Sequence, residues 1–339
     1  MVNKNLRIAV AGAPGAVGEA MLSILVEYGF ADAQVRALAS EKSLGRTVDF
    51  GHRKLDVEVL DDFDFSQTDF ALFSAGAGVS LVHAPRAAEA GCTVIDNTSA
   101  FRRDDEIPLV VPEINGDLLD DLSPGTIIAN PNCSTIQMLI AIAPIHAIAG
   151  IERINVATYQ SVSGAGSKGM EELARQTADR LSFKEVKPST FAQPIAFNAI
   201  PVIDAMQDNE YTREEMKLHW ETQKILRDSS IAVNATAVRI PVFFGHSEAV
   251  HLETARDISM DAVREAMHAA PGLELVDSLE PAEQVTAVTH AAGKDAVYVS
   301  RLRRDLSHPR GISMWVVADN VRKGAALNAV QILEAISIQ

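Results

Sequence analysis

The stretch Arg7-Ile-Ala-Val-Ala-Gly12-Ala-Pro-Gly15-Ala-Val-Gly18 decides how the first third of this chain folds. An apolar strand, Arg7 to Ala11, runs straight into a glycine turn, and an amphipathic segment reaching about Tyr28 reads as the helix that follows. Glycines let a backbone approach a pyrophosphate closely, and a helix N-terminus offers it amides and the positive end of a dipole. Gly12, Pro14, Gly15, Ala16, Val17 and Gly18 are therefore the expected cradle for a dinucleotide. The spacing is GxxGxxG and not the commoner GxGxxG, so a tight turn without ligand is the other reading. Val35 to Ala39, Phe70 to Ser74 and Thr93 to Asp96 read as further short buried strands, separated by helical or turn segments such as Leu81 to Ala90. That alternation predicts a parallel, doubly wound α/β sheet of the Rossmann type.

A second run, Asn130-Pro-Asn-Cys133-Ser-Thr135, joins an apolar strand, Thr126 to Ala129, to an apolar helix from about Ile136 to Ala149. A cysteine at such a junction is placed to be a nucleophile. A thiol with a pKa of about 8.5 is mostly protonated at neutral pH, and the amides and dipole of a helix N-terminus favour the thiolate. The same amides can hold an oxyanion. The competing reading is a buried structural cysteine, which would gain nothing from Pro131 or from the polar neighbours Asn132 and Ser134. Cys92, within the run Gly91 to Ile95, reads as core.

Beyond Ala149 the pattern changes. Ile154 to Gln160, Ala232 to Val238, Val250 to Thr254, Val297 to Leu302 and Ser313 to Val317 read as strands, and their alternation of apolar and polar positions predicts an antiparallel or mixed sheet. Thr212-Arg-Glu-Glu215 is a capping box for a helix to about Leu226, and Val321 to Ile338 reads as a closing amphipathic helix. The expected architecture is an α/β nucleotide-binding domain over 1–131, completed by 320–339, and an α+β domain with a mixed sheet over 132–319 that carries Cys133 near its start. A chain of 339 residues, 47 % of them hydrophobic, has material for two domains. A net charge of -15 argues against nucleic acid or an anionic membrane as partner. Two cysteines build neither a disulfide framework nor a metal cluster at this spacing. No signal-peptide pattern and no membrane-length apolar stretch is found, so a reduced cytoplasm is the expected setting.

The chain resembles the bacterial aspartate-β-semialdehyde dehydrogenases over nearly its whole length. The resemblance rests on the glycine turn, Asp96-Asn-Thr-Ser-Ala-Phe-Arg102, Pro108-Leu-Val-Val-Pro-Glu-Ile-Asn115, the run from Asn130 to Thr135, Tyr159-Gln-Ser-Val-Ser-Gly-Ala-Gly166, Arg239-Ile-Pro-Val, Gly245-His-Ser-Glu248 and Asp319-Asn-Val-Arg-Lys-Gly-Ala-Ala326. It implies a homodimeric enzyme that reductively dephosphorylates L-4-aspartyl phosphate with NADPH, on the route to lysine, threonine and methionine. It assigns Cys133 as the nucleophile, His246 as acid/base, Gln160 and Arg239 to the substrate, with Asn132 beside them, and Arg102 and Lys217 to phosphate, with Glu214 on the same helix face as Lys217. It also places Ser74, Ser163, Gly164 and Asn320 at the cofactor.

The residues themselves support part of this. Arg can grip a carboxylate with two parallel bonds, which Lys cannot, and an imidazole of ordinary pKa suits proton exchange at neutral pH. Arg239 and His246 are seven positions apart, so a straight strand would separate them by about 23 Å. The chain must bend back, and Pro241 and Gly245 are placed to allow it. For Lys217 the plainer reading is an i,i+3 ion pair with Glu214. Arg102 and Arg103 diverge, so one of them reaches a shared site. Pro14 stands where the family usually has Thr, removing a hydroxyl and an amide donor near the cofactor. At the end of the second strand Ser40, Lys42, Ser43 and Leu44 suit NADP, with Ser40 and Lys42 expected on one side of an extended segment and the dissenting Glu41 on the other. A catalytically silent relative of the same fold and an N-acetylglutamyl-phosphate reductase-like enzyme are the rival readings, and a glyceraldehyde-phosphate type enzyme is a more distant one.

Overall fold

The computed structural model describes residues 6–337; Ile338, the expected end of the closing helix, lies outside them. The chain divides into two compact units, one running through Asn132 and resuming at Ala325, the other Cys133–Gly324. Residues 320–324, expected with the closing helix, fall in the second unit, where Asn320 is bonded to Ser161, Ser163 and Gly245.

The first unit is built on strands β1 (Arg7–Ala11), β2 (Gln34–Ala39), β3 (Thr47–Phe50), β4 (Arg53–Val59), β5 (Phe70–Phe73), β6 (Thr93–Asp96) and β7 (Ile127–Ala129). Their order is β3-β4-β2-β1-β5-β6-β7, parallel throughout except for the antiparallel pair β3/β4. Chain order reverses across β1, which puts the glycine turn at the switch point where such sheets bind ligands. Helix α1 (Ala16–Leu25) buries Gly18, Met21, Leu22 and Leu25, a 3.6-residue stripe, and shares its core with Ile8 and Val10 of β1 and with Ile332 and Leu333 of the closing helix, Leu327–Ser337. Gly18 has no room for a side chain: a Cβ there would lie 2.3 Å from the Gly12 carbonyl oxygen. Helix α2 (Ala77–Glu89) packs on β5 and β6, and the short α3 (Pro112–Asn115) packs on the closing helix.

In the second unit α4 (Cys133–Ala149) is followed by β8 (Ile151–Gln160), α5 (Gly166–Leu181), α6 (Arg213–Leu226), β9 (Ala232–Arg239), β10 (His246–Thr254), α7 (Met260–Ala269), β11 (Leu273–Leu275), β12 (Val297–Arg304) and β13 (Gly311–Ala318). The six strands form a mixed sheet in the order β11-β12-β13-β10-β8-β9, parallel at β11/β12 and β8/β9 and antiparallel elsewhere. Helix α4 is apolar on nearly every side and lies buried against this sheet and against helices α6 and α7. The capping box of α6 is complete: Thr212 Oγ1 accepts from the Glu215 amide at 3.2 Å, and Glu215 Oε2 accepts from the Thr212 amide at 2.7 Å.

Several boundaries move. Helix α4 begins at Cys133 and not near Ile136, because Ser134 and Thr135 are buried in its first turn. Strand β10 begins at His246, four residues before the apolar run, since Ser247 and Glu248 pair with β8 and β13 on both sides. The segment after β2 is a 3-10 turn, Glu41–Ser43, closed by Ser43 N to Ser40 O at 2.8 Å. It is not extended, so the expected alternation of Ser40 and Lys42 against Glu41 does not hold.

Candidate active site

Cys133 is the first residue of α4 and is partly exposed. Its back is set against Gly324, where a Cβ would stand 2.7 Å from the Cys133 Cβ, so only glycine leaves the thiol its place. Cys92, by contrast, is fully buried in the first unit, and burial raises its thiol to about 12.

Gln160 ends β8, and Arg239 ends β9 directly opposite it. The Gln160 amide is fixed by acceptors around it: its Nε2 donates to Ser134 Oγ at 3.0 Å and to Glu214 Oε1 at 3.0 Å, and Thr158 Oγ1, 3.3 Å away, shares these two hydrogens. These bonds tie the end of β8 to the first turns of α4 and α6. The expected reversal between Arg239 and His246 is present: β9 and β10 flank β8 in opposite directions, and Gly245, at φ +83°, turns the chain into His246.

His246 is fully buried. Its Nδ1 accepts from the Ser161 amide at 3.1 Å and lies 3.1 Å from Ser161 Oγ. With Nδ1 facing an N–H donor, the assigned neutral tautomer carries its proton on Nε2. That Nε2 has no hydrogen-bond partner among the described residues. Burial, then the Arg239 charge, lowers His246 to about 3. Arg239 is itself buried, its Nη1 donating to Ser161 O at 2.7 Å. A Cβ on Gly164 would stand 2.7 Å from Arg239 Nη1 and 3.4 Å from His246 Nε2, so guanidinium and imidazole converge beneath this glycine. Burial depresses the Arg239 guanidinium, while the nearby charges of Glu214 and Cys133 support it.

Asn320 holds this arrangement together. Its Oδ1 accepts from the Gly245 amide at 2.9 Å, from Ser161 Oγ at 3.0 Å and from Ser163 Oγ at 3.1 Å, and its Nδ2 donates to Ser163 Oγ at 3.0 Å. Ser163, Gly164 and Asn320, expected at the cofactor, thus sit around Arg239, His246 and Ser161 in the second unit. Lys217 makes the plain pair, 2.8 Å to Glu214 and 3.2 Å to Asp204. Arg102 and Asn132 belong to the first unit and are buried; Arg102 Nε donates to Asn130 O at 2.8 Å and Nη2 to Asn97 O at 2.9 Å. Arg103, its neighbour, is exposed.

The first unit carries a cavity of about 370 Å³ at the carboxyl end of its sheet, bounded in part by Gly12, Pro14, Gly15, Ser40, Ser43 and Ser74. The N-terminus of α1 and three hydroxyls fit a nucleotide phosphate and ribose, while the Gly12 and Ala13 amides donate to Leu38 O and the Gly15 amide to Gly12 O, so the turn contributes close backbone approach and not its own donors. Ala16, Val17 and Gly18 form the first turn of α1 behind it, and neither Lys42 nor Leu44 faces it. Gly324, Glu248 and Ser161 lie inside motifs of the sequence that give them no role of their own, and Arg46 lies outside any motif. Among the described residues no group of three or more His, Cys, Asp or Glu could hold a metal, and no helix is long and apolar enough to cross a membrane.

A nucleotide-binding parallel sheet joined to a unit that presents a thiol, an imidazole and a guanidinium is the construction of a cysteine-dependent dehydrogenase. Residues 7–122 match the family model described as "Semialdehyde dehydrogenase, NAD binding domain", and residues 142–323 match "Semialdehyde dehydrogenase, dimerisation domain". The aspartate-semialdehyde dehydrogenase of Legionella pneumophila is 53% identical over 98% of this chain and 96% of its own, and aspartate-semialdehyde dehydrogenase 2 of Vibrio cholerae is 54% identical over 98% of each. The crystal structure of the Vibrio cholerae enzyme II complexed with ASA superposes with a TM-score of 0.96 at 53% identity, covering 99% of both chains. The chain belongs to the aspartate-semialdehyde dehydrogenase family.

Proposed function

We propose that this protein is an NADP-dependent aspartate-β-semialdehyde dehydrogenase, converting L-4-aspartyl phosphate to L-aspartate 4-semialdehyde and phosphate through an acyl thioester on Cys133. One observation carries the reading: Cys133 opens α4 in the same unit in which Arg239 and the unpartnered His246 Nε2 converge beneath Gly164. The Cys133 thiolate attacks the acyl carbon, the C–O bond to phosphate breaks, and a thioester remains. A nicotinamide cofactor supplies the hydride that reduces this thioester. The His246 Nε2–H donates to the oxygen that gains charge in both steps, while the amides at the start of α4 share that load. Collapse of the resulting hemithioacetal releases the aldehyde and restores the thiolate.

Arg239 grips the α-carboxylate with its planar fork. Gln160, its Nε2 fully engaged, keeps Oε1 for a substrate donor, and Asn132 orients the substrate from its place next to Cys133. Arg102 and Lys217 serve the phosphate, Glu214 holding Lys217 in place. Gly12, Gly15, Ser40, Ser43 and Ser74 bind the dinucleotide, with Pro14 contributing shape and no amide donor. The matched dimerisation domain supports a homodimer, a reducing cytoplasm would keep Cys133 a thiol, and the product serves lysine, threonine, methionine and isoleucine synthesis. The test is NADPH formation from aspartate semialdehyde with and without inorganic phosphate. The reading requires turnover that depends on phosphate; activity with N-acetylglutamate semialdehyde instead, or none with either, would overturn it.

A further inference from the structure

The nucleotide cavity of the first unit carries, beside the expected Ser40 and Ser43, an arginine to which the resemblance gives no role. Ser40 and Ser43 stand three residues apart on the 3-10 turn and therefore on one side of it, facing the cavity; Lys42, a third of a turn from Ser43, does not face it. Arg46 does. Its backbone is pinned on both sides, by its amide to Ser43 O at 3.1 Å and by its carbonyl to the Val57 amide at 3.0 Å. Its guanidinium makes no hydrogen bond or ion pair with any described residue in the structure, so its five donors are available.

The cavity is also lined by Asp61 and His83, whose Nε2 lies 3.1 Å from Asp61 Oδ1. Burial, with the Arg86 charge, depresses the His83 imidazole and keeps it neutral at physiological pH. Arg46 is then the one permanent positive charge on a cavity whose other charged group is a carboxylate engaged by a histidine. A planar fork of donors beside two serine hydroxyls is the chemistry that recognises a phosphate monoester.

We infer that Arg46, and not Lys42, recognises the 2′-phosphate of the dinucleotide and sets the choice between NADP and NAD. The inference rests on the proposed use of NADP and names the residue responsible. It is tested by titrating adenosine 2′,5′-bisphosphate and AMP into the wild type, Arg46→Ala and Lys42→Ala by calorimetry, with circular dichroism confirming that each variant is folded. The wild type should bind the bisphosphate more tightly than AMP by about tenfold or more, as expected for a charge-assisted pair. Arg46→Ala should lose that preference with AMP binding unchanged, and Lys42→Ala should keep it. A preference that survives in Arg46→Ala and disappears in Lys42→Ala overturns the assignment while leaving the NADP reading intact. A wild type that binds both probes equally overturns both and points to Asp61 as the group facing the ribose.

Discussion

At the scale of single residues, burial decides what each polar group can do. Arg239 loses most of its water, and one of its donors is spent on the Ser161 carbonyl; its remaining donors keep the planar geometry a carboxylate needs. Replacing it with Lys preserves the charge and discards the fork. Arg239→Lys should lower kcat/KM by about tenfold or more, a loss of ~1.4 kcal/mol, with NADPH binding unchanged by fluorescence titration. A variant matching the wild type would show that Arg239 serves another purpose. His246 is the complementary case: burial and the adjacent guanidinium keep it neutral, and the Ser161 amide assigns its proton to Nε2. Its Nε2–H is left as an available donor, and in place of the ordinary imidazole the sequence suggests stands one held neutral well into the acid range.

At the scale of elements, the legible features were those whose signal is local. The glycine turn, the strand Thr93 to Asp96 and the capping box at Thr212 each state their structure within a few residues, and each is found where the sequence puts it. The starts of α4 and β10 differ from the apolar runs because Ser134, Thr135, Ser247 and Glu248 are polar yet buried, Ser134 accepting from Gln160 of β8 and the backbones of Ser247 and Glu248 pairing with β8 and β13. Helix α7, capped by Ser259 to the Ala262 amide, and the β3/β4 hairpin add further local signals, a cap and an alternation present in the sequence. Arg239 and His246 were legible within motifs, as was the bend in the chain between them, but the place of Gly164 over both was not, since it depends on the order of three strands. The α6 cap also has a mechanical part, because it fixes the turn that carries Glu214 and Lys217. Thr212→Ala should cost about 1 kcal/mol in urea unfolding of the protein. No measurable loss would mean that the Glu215 bond to the Ala237 amide, 2.9 Å, holds that turn without the cap.

At the scale of the whole molecule, the second unit encloses two titratable groups that limit its stability from opposite sides of the pH range. His246, lowered by burial from 6.5 to about 3, is neutral when folded. As pH falls from 6.5 toward 3 the unfolded chain takes up a proton that the folded protein refuses, and stability declines. Glu248, fully buried against Ser134 and Gln137, is raised well above 4.5 by burial. As pH rises above 4.5 the unfolded chain releases a proton that the folded protein retains, and stability again declines, by about 1.4 kcal/mol per pH unit within that window. Glu248→Gln keeps the shape and cannot titrate, so its stability relative to wild type should be near its minimum at pH 4.5 and grow as pH rises in guanidinium unfolding. A constant difference across that range would show that Glu248 is ionised in the fold. All of this surrounds one claim, that Cys133 forms a covalent acyl intermediate. Mixing the protein with aspartyl phosphate in the absence of cofactor and digesting it for mass spectrometry tests the claim directly: an aspartoyl adduct on the Cys133 peptide, with one equivalent of phosphate released per chain, is the expected result, and phosphate release without an adduct, an adduct on Cys92, or unchanged turnover in Cys133→Ala would contradict it.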